Sequence, residues 1–364
     1  MADTLALTSD PRRRNLAVLA AIAAVMVVFA IFALLRQSAE VAPHYQPESF
    51  LPGLASHVRE IAHIRLASKA GVVDVQFKPE KGWVVASHDD YPASFDRVRE
   101  TIVGLAALQT LEPKTARADW LHYLDLASPP KGNGVAVTLQ NGQGRTIAAV
   151  VTGKNIDIGD PSGAVGLFVR RANSDQSWLA RSVFQPKTDV GQWLDKQVMD
   201  VDLARVQQVD IDPAEGASYE VRRDKPNVAD LALVNIPKGR ELSYSGAADN
   251  IAGAVSGFTF DDVRPAREFD FSDGAHVARM VAHTFDGLIV TVRTLQKGQD
   301  YWATVSAEGQ PGKPQAQQQA RTIDARASGW AYKLPAYKGR QLMNTLEDLL
   351  KPLPATTAPA KPGK

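Results

Sequence analysis

The sequence predicts an α+β protein: an N-terminal single transmembrane helix followed by a duplicated α+β unit, in which antiparallel meander sheets pack with helices. Three observations carry this reading. The run Leu16–Leu35 holds no charge and no proline and follows Arg12, Arg13 and Arg14 almost directly. Beyond it, short segments alternate apolar and polar residues, the period of a strand with one buried face. The order of those segments then returns, with Val206 standing 145 residues after Ile61 and Gly287 standing 153 after Gly134.

The apolar run comes first. At ~1.5 Å per residue a helix of this length reaches ~30 Å, the thickness of a bilayer's hydrocarbon core. The expected span is residues 15–36. Basic residues stay in the cytoplasm, which places residues 1–14 inside and the bulk of the chain in the periplasm of a bacterial inner membrane. A cleaved signal peptide is the competing reading. Its apolar region would be only about 7–15 residues long, and small residues would precede the cleavage site. Here Gln37 and Glu40 stand two before Ala39 and Ala42, the positions where small residues are required.

Composition excludes several classes. The chain has 364 residues and no cysteine, so neither disulfides nor cysteine-linked lipids contribute. With 41 basic and 40 acidic residues, it lacks the charge excess of a nucleic-acid surface, and no nucleic-acid partner is expected. Charged residues at 22% and apolar residues at 45% belong to an ordinary folded chain.

Residues 37–57 carry Pro43, Pro47 and Pro52 without periodicity and read as an extended stalk. The first α+β unit spans 58–200. Ile64 and Leu66, then Val73, Val75 and Phe77, mark two alternating strands, and Lys81-Gly82 turns into a third at Trp83-Val84-Val85. Ser94 reads as an N-cap for a helix whose apolar face is Phe95, Val98, Ile102, Leu105 and Leu108. Trp120, Tyr123 and Leu124 form a short amphipathic piece. Gly134–Leu139 and Thr146–Val151 read as a hairpin turning at Asn141-Gly142. Two more strands follow at Gly166–Arg170 and Ser177–Ala180, and Asp189 caps a short helix. The second unit spans 201–308. In it Val206–Ile211 corresponds to Ile61–Leu66, Tyr219–Arg223 to Val73–Phe77, Gly246–Phe258 to the first helix, and Gly287–Val292 to Gly134–Leu139. Residues 309–351 hold C-terminal helices around Trp330-Ala331-Tyr332-Lys333-Leu334-Pro335, and residues 352–364 read as a proline-rich disordered tail.

Several stretches, taken in order, resemble a known family. They are Lys81-Gly82-Trp83-Val84-Val85, the helix with Val98, Ile102, Leu105 and Leu108, Gly134-Val135-Ala136-Val137, and Val151-Thr152-Gly153-Lys154. Gly166–Arg170, Trp193-Leu194-Asp195 and the closing Gly329–Pro335 continue the likeness. The family is DUF4340, and the resemblance covers most of residues 58–350. It implies an inner-membrane-anchored extracytoplasmic protein of the kind often associated with gliding-motility-type ABC transporters. No catalytic residues are carried over from it.

The polar clusters are the candidates for chemistry. His88-Asp89-Asp90 is the densest; a metal or acid/base site is one reading and an exposed loop the other. Asp210 and Asp212 alternate along a strand and share a face, as a carboxylate pair or as a solvated strand. Asp261-Asp262 reads as a turn. His276 and His283 are seven apart and His57 and His63 six apart, neither the spacing of a helical zinc pair. Gly159–Gly163 lacks a nucleophile elbow around Ser162, and Gly153-Lys154 lacks the rest of a phosphate loop. Trp83, Trp178, Trp193, Trp302 and Trp330 are core residues or a carbohydrate platform. No residue is assigned a catalytic, cofactor-binding or metal role, and no cofactor is expected. The expected function is therefore a non-enzymatic membrane-anchored binding protein of an ABC-transport or other envelope assembly. A cell-wall glycan-binding module and an extracytoplasmic hydrolase using Asp210, Asp212 or Asp262 are the alternatives.

Overall fold

The structure is a computed structural model that describes residues 25–29, 47–226, 228, 230–272 and 276–352. The expected segments 1–14 and 352–364 lie outside these residues, apart from Pro352. So does the expected span 15–36, apart from residues 25–29, which are helical and exposed. Among the described residues no helix is long and apolar enough to cross a membrane.

The α+β expectation is corrected by the sheets. Two large antiparallel sheets dominate the described chain, nine strands in one and eight in the other, with few helices, so the protein is β-rich. The physical reason is that segments read as connections are strands. Val277–Thr284, to which the sequence reading gave no element, buries Ala278, Met280, Ala282 and Thr284 in strict alternation. The helix expected across Gly246–Phe258 is limited to Ala247–Ala252.

After residues 25–29 the described chain resumes at Pro47. Within the expected stalk, Phe50 and Leu54 are buried and Leu54–His57 forms helix α1. The first sheet begins with β1 (Ile61–Ser68), β2 (Gly71–Lys78), β3 (Gly82–Val85) and β4 (Tyr91–Pro92). Helix α2 (Phe95–Ala106) leads to β5 (Gln109–Pro113), and a meander of β6 (Val135–Asn141), β7 (Thr146–Ile156), β8 (Val165–Arg171) and β9 (Ser177–Ser182) completes the sheet. The strand order is β4-β3-β2-β1-β6-β7-β8-β9-β5.

The second sheet contains β10 (Val206–Asp212), β11 (Tyr219–Arg222) and β12 (Ala232–Leu233). Helix α3 (Ala247–Ala252) leads to β13 (Asp262–Pro265). The meander of β14 (Val277–Thr284), β15 (Leu288–Lys297), β16 (Asp300–Gly309) and β17 (Trp330–Leu334) follows, with helix α4 (Pro314–Ala327) between the last two strands. The order is β12-β11-β10-β14-β15-β16-β17-β13. Both sheets thus place the opening hairpin beside the meander and return the strand after the helix to the far edge. The C-terminal helix expected through Leu342–Leu350 is divided into α5 (Ala336–Met343) and α6 (Leu346–Leu349), because Asn344 turns extended and Thr345 starts a new capping box.

Helix α2 shows why the local sequence folds this way. Ser94 Oγ accepts from the Arg97 N–H, Asp96 sits in the positive first turn, and Val98, Ile102 and Leu105 are buried. Gly104 lets the helix rest on Phe184, where a Cβ would overlap that side chain.

One continuous core joins the inner faces of both sheets, from Ile64, Val75 and Leu139 to Val209, Val221 and Val290. Each sheet also carries a small second core on its other face. In the first sheet, Val151, Phe168 and Leu179 are covered by Leu121 and Leu126 from the segment after β5. In the second, Leu295, Trp302 and Ala331 are covered by Phe269 and Phe271 from the segment after β13. These second cores centre on β7–β9 and β15–β17 and reach Ala136 on β6 and Val277 on β14 at their margins; the outward side chains of His63, Arg65 and Asp74, and of Gln208 and Asp210, lie outside them.

Candidate functional site

Polar side chains gather on the uncovered stretch of each outer face. In the first sheet, strand alternation turns Ile64 and Leu66 inward and His63 and Arg65 outward. The register sets His63 opposite Gln76 on one neighbour and Gln140 on the other, and Arg65 opposite Asp74. His63 Nε2 lies 2.7 Å from Asp74 Oδ1 and its Nδ1 lies 2.7 Å from Gln140 Oε1. Gln76 Nε2 donates to the same Asp74 oxygen at 3.0 Å, and Arg65 Nη1 stands 3.5 Å from the other.

The second sheet builds a related group. His283 Nε2 lies 3.0 Å from Asp210 Oδ2, and Gln208 Nε2 donates to Asp210 Oδ1 at 2.8 Å. The cross-strand pairs occupy matching places: His63 faces Gln140, and Gln208 faces His283. The register shifts just before each pair, between Ile61 and His63 and between Val206 and Gln208. Such a shift bends the strand and re-aims the side chain that follows it. Asp210, Asp212, Tyr219 and Glu220 line an open hollow of about 370 Å³ beside this group. Asp212 sits 3.7 Å from Arg279, and the Tyr219 hydroxyl donates to the Asn344 carbonyl at 3.0 Å.

The cluster His88-Asp89-Asp90 does not converge on one site. Asp89 and Asp90 have φ of 51° and 65°, which splays the three side chains toward different partners. Asp90 accepts from Lys78 at 2.7 Å, and this bond, with a further one from Lys81, holds its carboxyl below the usual carboxylate range. Asp89 meets Arg267 at 3.3 Å, and His88 Nε2 meets Asp262 Oδ1 at 2.8 Å. These last two contacts tie the first sheet to the edge of the second. Burial pushes the Asp262 carboxyl up, but hydrogen bonds from His88 and from the Val263 N–H, with the nearby charge of Arg264, outweigh it and leave the group more acidic than usual.

The same junction holds an aromatic cluster. The Tyr91 ring stands 5.0 Å from that of Trp330 and 5.9 Å from that of Phe260, both edge-on. Burial raises the pKa of the Tyr91 and Tyr332 phenols and lowers that of the Lys196 amine, which donates to the Phe260 carbonyl and lies 4.1 Å over its ring.

The remaining sequence candidates are scattered. His57 pairs with Glu60 at 2.8 Å on the surface, and His276 stands 3.9 Å from Glu215 with both exposed. Ser162 Oγ donates to Asp160, which also binds Arg181. Gly153 lies within β7 against the Leu124 carbonyl. Trp193 and Trp302 are buried, and Trp83, Trp178 and Trp330 pack partly buried against the main core. Among the described residues no group of three or more His, Cys, Asp or Glu side chains converges to hold a metal ion. Sequence reasoning missed Asp74, Gln140 and Gln208. Their alternation with buried neighbours was visible, but the register that joins them was not.

A comparison with protein families matches residues 83–274 to the family described as Domain of unknown function (DUF4340). The chain belongs to the DUF4340 family. The match runs from β3 of the first sheet past β13 of the second, so it takes in both partners of the His88–Asp262 and Asp89–Arg267 contacts. Comparison of the DUF4340 chain with curated proteins and with solved structures returned no match.

Proposed function

We propose that this DUF4340 protein is a non-enzymatic binding subunit, tethered by the apolar run Leu16–Leu35, whose body lies outside the cytoplasm and joins an ABC-transport or other envelope assembly. The observation that carries the reading is the pair of outward, hydrogen-bonding patches, one on each sheet, in a body whose inner sheet faces share one core. Two patches at fixed spacing let a partner protein bind through several modest contacts, none strong alone. The near-neutral charge favours protein partners over nucleic acid. The test is affinity capture of the full chain from detergent-solubilised membranes. A transporter subunit or another envelope protein should be retained, and the double variant Asp74→Ala with Asp210→Ala should release it. Capture that recovers no membrane protein sinks the reading.

A second reading rests on the 3.0 Å contact of His283 with Asp210 beside the open hollow. A carboxylate that orients an imidazole is the base half of many hydrolytic sites. On this reading the protein hydrolyses an extracytoplasmic substrate, and Asp210→Asn abolishes turnover while leaving the fold intact. Unchanged turnover in that variant removes it.

A further inference from the structure

Helix α2 turns a stripe of side chains away from the core. Phe95 is 65% exposed and Val103 54% exposed, and Arg99 lies between them at helical spacing. Across a groove of about 280 Å³, the β2–β3 hairpin contributes Phe77, 47% exposed, whose ring meets Trp83 edge-on at 5.8 Å. Arg59 closes the rim and has no ion pair among the described residues. Among the described residues the ion pair of Arg99 is a 3.4 Å contact with Asp96, itself 87% exposed, which solvent weakens. Aromatic and apolar side chains interleaved with loosely held arginines are the composition of a surface that lies in a membrane interface.

We propose that this face rests on an anionic bilayer, with Phe95, Val103 and Phe77 entering the acyl boundary and Arg59 and Arg99 meeting lipid phosphates. The proposal rests on the tethered reading above. The 11 residues 36–46 separate the apolar run from Pro47, so Pro47 lies within about 40 Å of the point where that run leaves the bilayer. The chain then passes through α1, which packs beside α2, and reaches Val58 and Arg59 on the groove wall itself. The groove wall therefore begins a short stretch of chain after the tether, and the bilayer is the partner held closest to it. A bilayer also matches the exposed Phe95–Val103 stripe without requiring a complementary protein surface.

The absence of cysteine makes the test direct. Nitroxide labels are placed on Phe95→Cys, Val103→Cys and, as a reference on the second half, Tyr244→Cys, each in the full chain. The chain is reconstituted into phosphatidylethanolamine–phosphatidylglycerol vesicles. All three side chains are largely exposed, so labelling leaves the core untouched. Labels at 95 and 103 should lose access to a water-soluble nickel relaxant and gain access to oxygen, whereas the label at 244 stays in water. Pure phosphatidylcholine, or Arg59→Gln with Arg99→Gln, should reduce that protection. If the chain stays on carbonate-washed vesicles while all three labels remain equally wet, the docking fails and the tether stands. A chain that washes off overturns both. Protection that persists in detergent and rises with protein concentration identifies a second copy as the occupant and overturns the bilayer.

Discussion

The two sheets solve one arrangement with different residues. In the first, histidine stands on β1 and glutamine on β6; in the second, glutamine stands on β10 and histidine on β14. The carboxylate also moves, from β2 as Asp74 to β10 as Asp210. What persists is the register shift and the requirement that a polar cross-strand pair on an uncovered face find a carboxylate partner. The covers differ as well. Leu121 and Leu126 cover the first outer face over β7, β8 and β9, whereas Phe269 and Phe271 cover the second over β15, β16 and β17, where Lys297 also stands over the Phe269 ring at 4.9 Å. The teaching is that backbone pairing is held more tightly than the side chains that decorate it.

The largest test asks whether the sheets unfold as one body. Tyr332 is fully buried on β17 and packs against Tyr91 of the first sheet as well as Phe258 and Phe260 of the second. Tyr332→Ala should cost about 3–5 kcal/mol, the usual penalty for emptying a buried aromatic site. Followed by urea with probes in each sheet, the loss should appear as one transition moved to lower denaturant. Two separated transitions, with only the second sheet weakened, would show that the core shared across the junction does not couple the sheets.

A middle-sized effect probes the junction's charge. Asp262 has its folded pKa depressed, so its contribution is present above the ordinary carboxylate value near ~3.9 and is lost as pH falls through the lower folded value. Asp262→Asn should therefore lower stability at neutral pH by about 1.5–3 kcal/mol, the range for a hydrogen bond to a charged partner. It should also flatten the acid limb of the stability–pH curve below ~4, because the group that titrates there is gone. An acid limb identical to that of the parent would show that His88 and Asp262 do not bind each other in solution.

These contacts mark where the sequence stops being readable. Strands β1, β2, β6 and β7 declare themselves because one face is core and the other polar, which imposes a period of two. The Ser94 cap and the Asp189 cap are equally local, and both accept the backbone N–H expected of them. Strand β14 was passed over because three of its four buried positions are alanine or methionine, which carry little strand signal. Missing it also shifted the correspondence between the halves: Gly287–Val292 was matched to β6, whereas β14 takes that place in the strand order. The site fared worse for the same reason at longer range. His88 and Asp262 are 174 residues apart, and His63 and Gln140 are 77 apart. Only register and junction packing bring them together, and neither leaves a motif.

The smallest expected effect is the sharpest test of the comparison itself. Gln208→His with His283→Gln would place the second sheet's pair in the order of the first. Both positions face outward across the same pair of strands, so the exchange moves no buried side chain. Asp210 would still find a donor on β10, now an imidazole in place of the amide at 2.8 Å. The double variant should therefore lie within about 0.5 kcal/mol of the parent, as surface substitutions away from special contacts do. Each single variant leaves Asp210 with two donors of one kind and should cost somewhat more, roughly 0.5–1 kcal/mol, giving a favourable coupling between the two positions. A double-mutant cycle in urea measures that coupling. A coupling of zero would mean that the Gln–His pair is held by its strands alone, with the carboxylate a bystander.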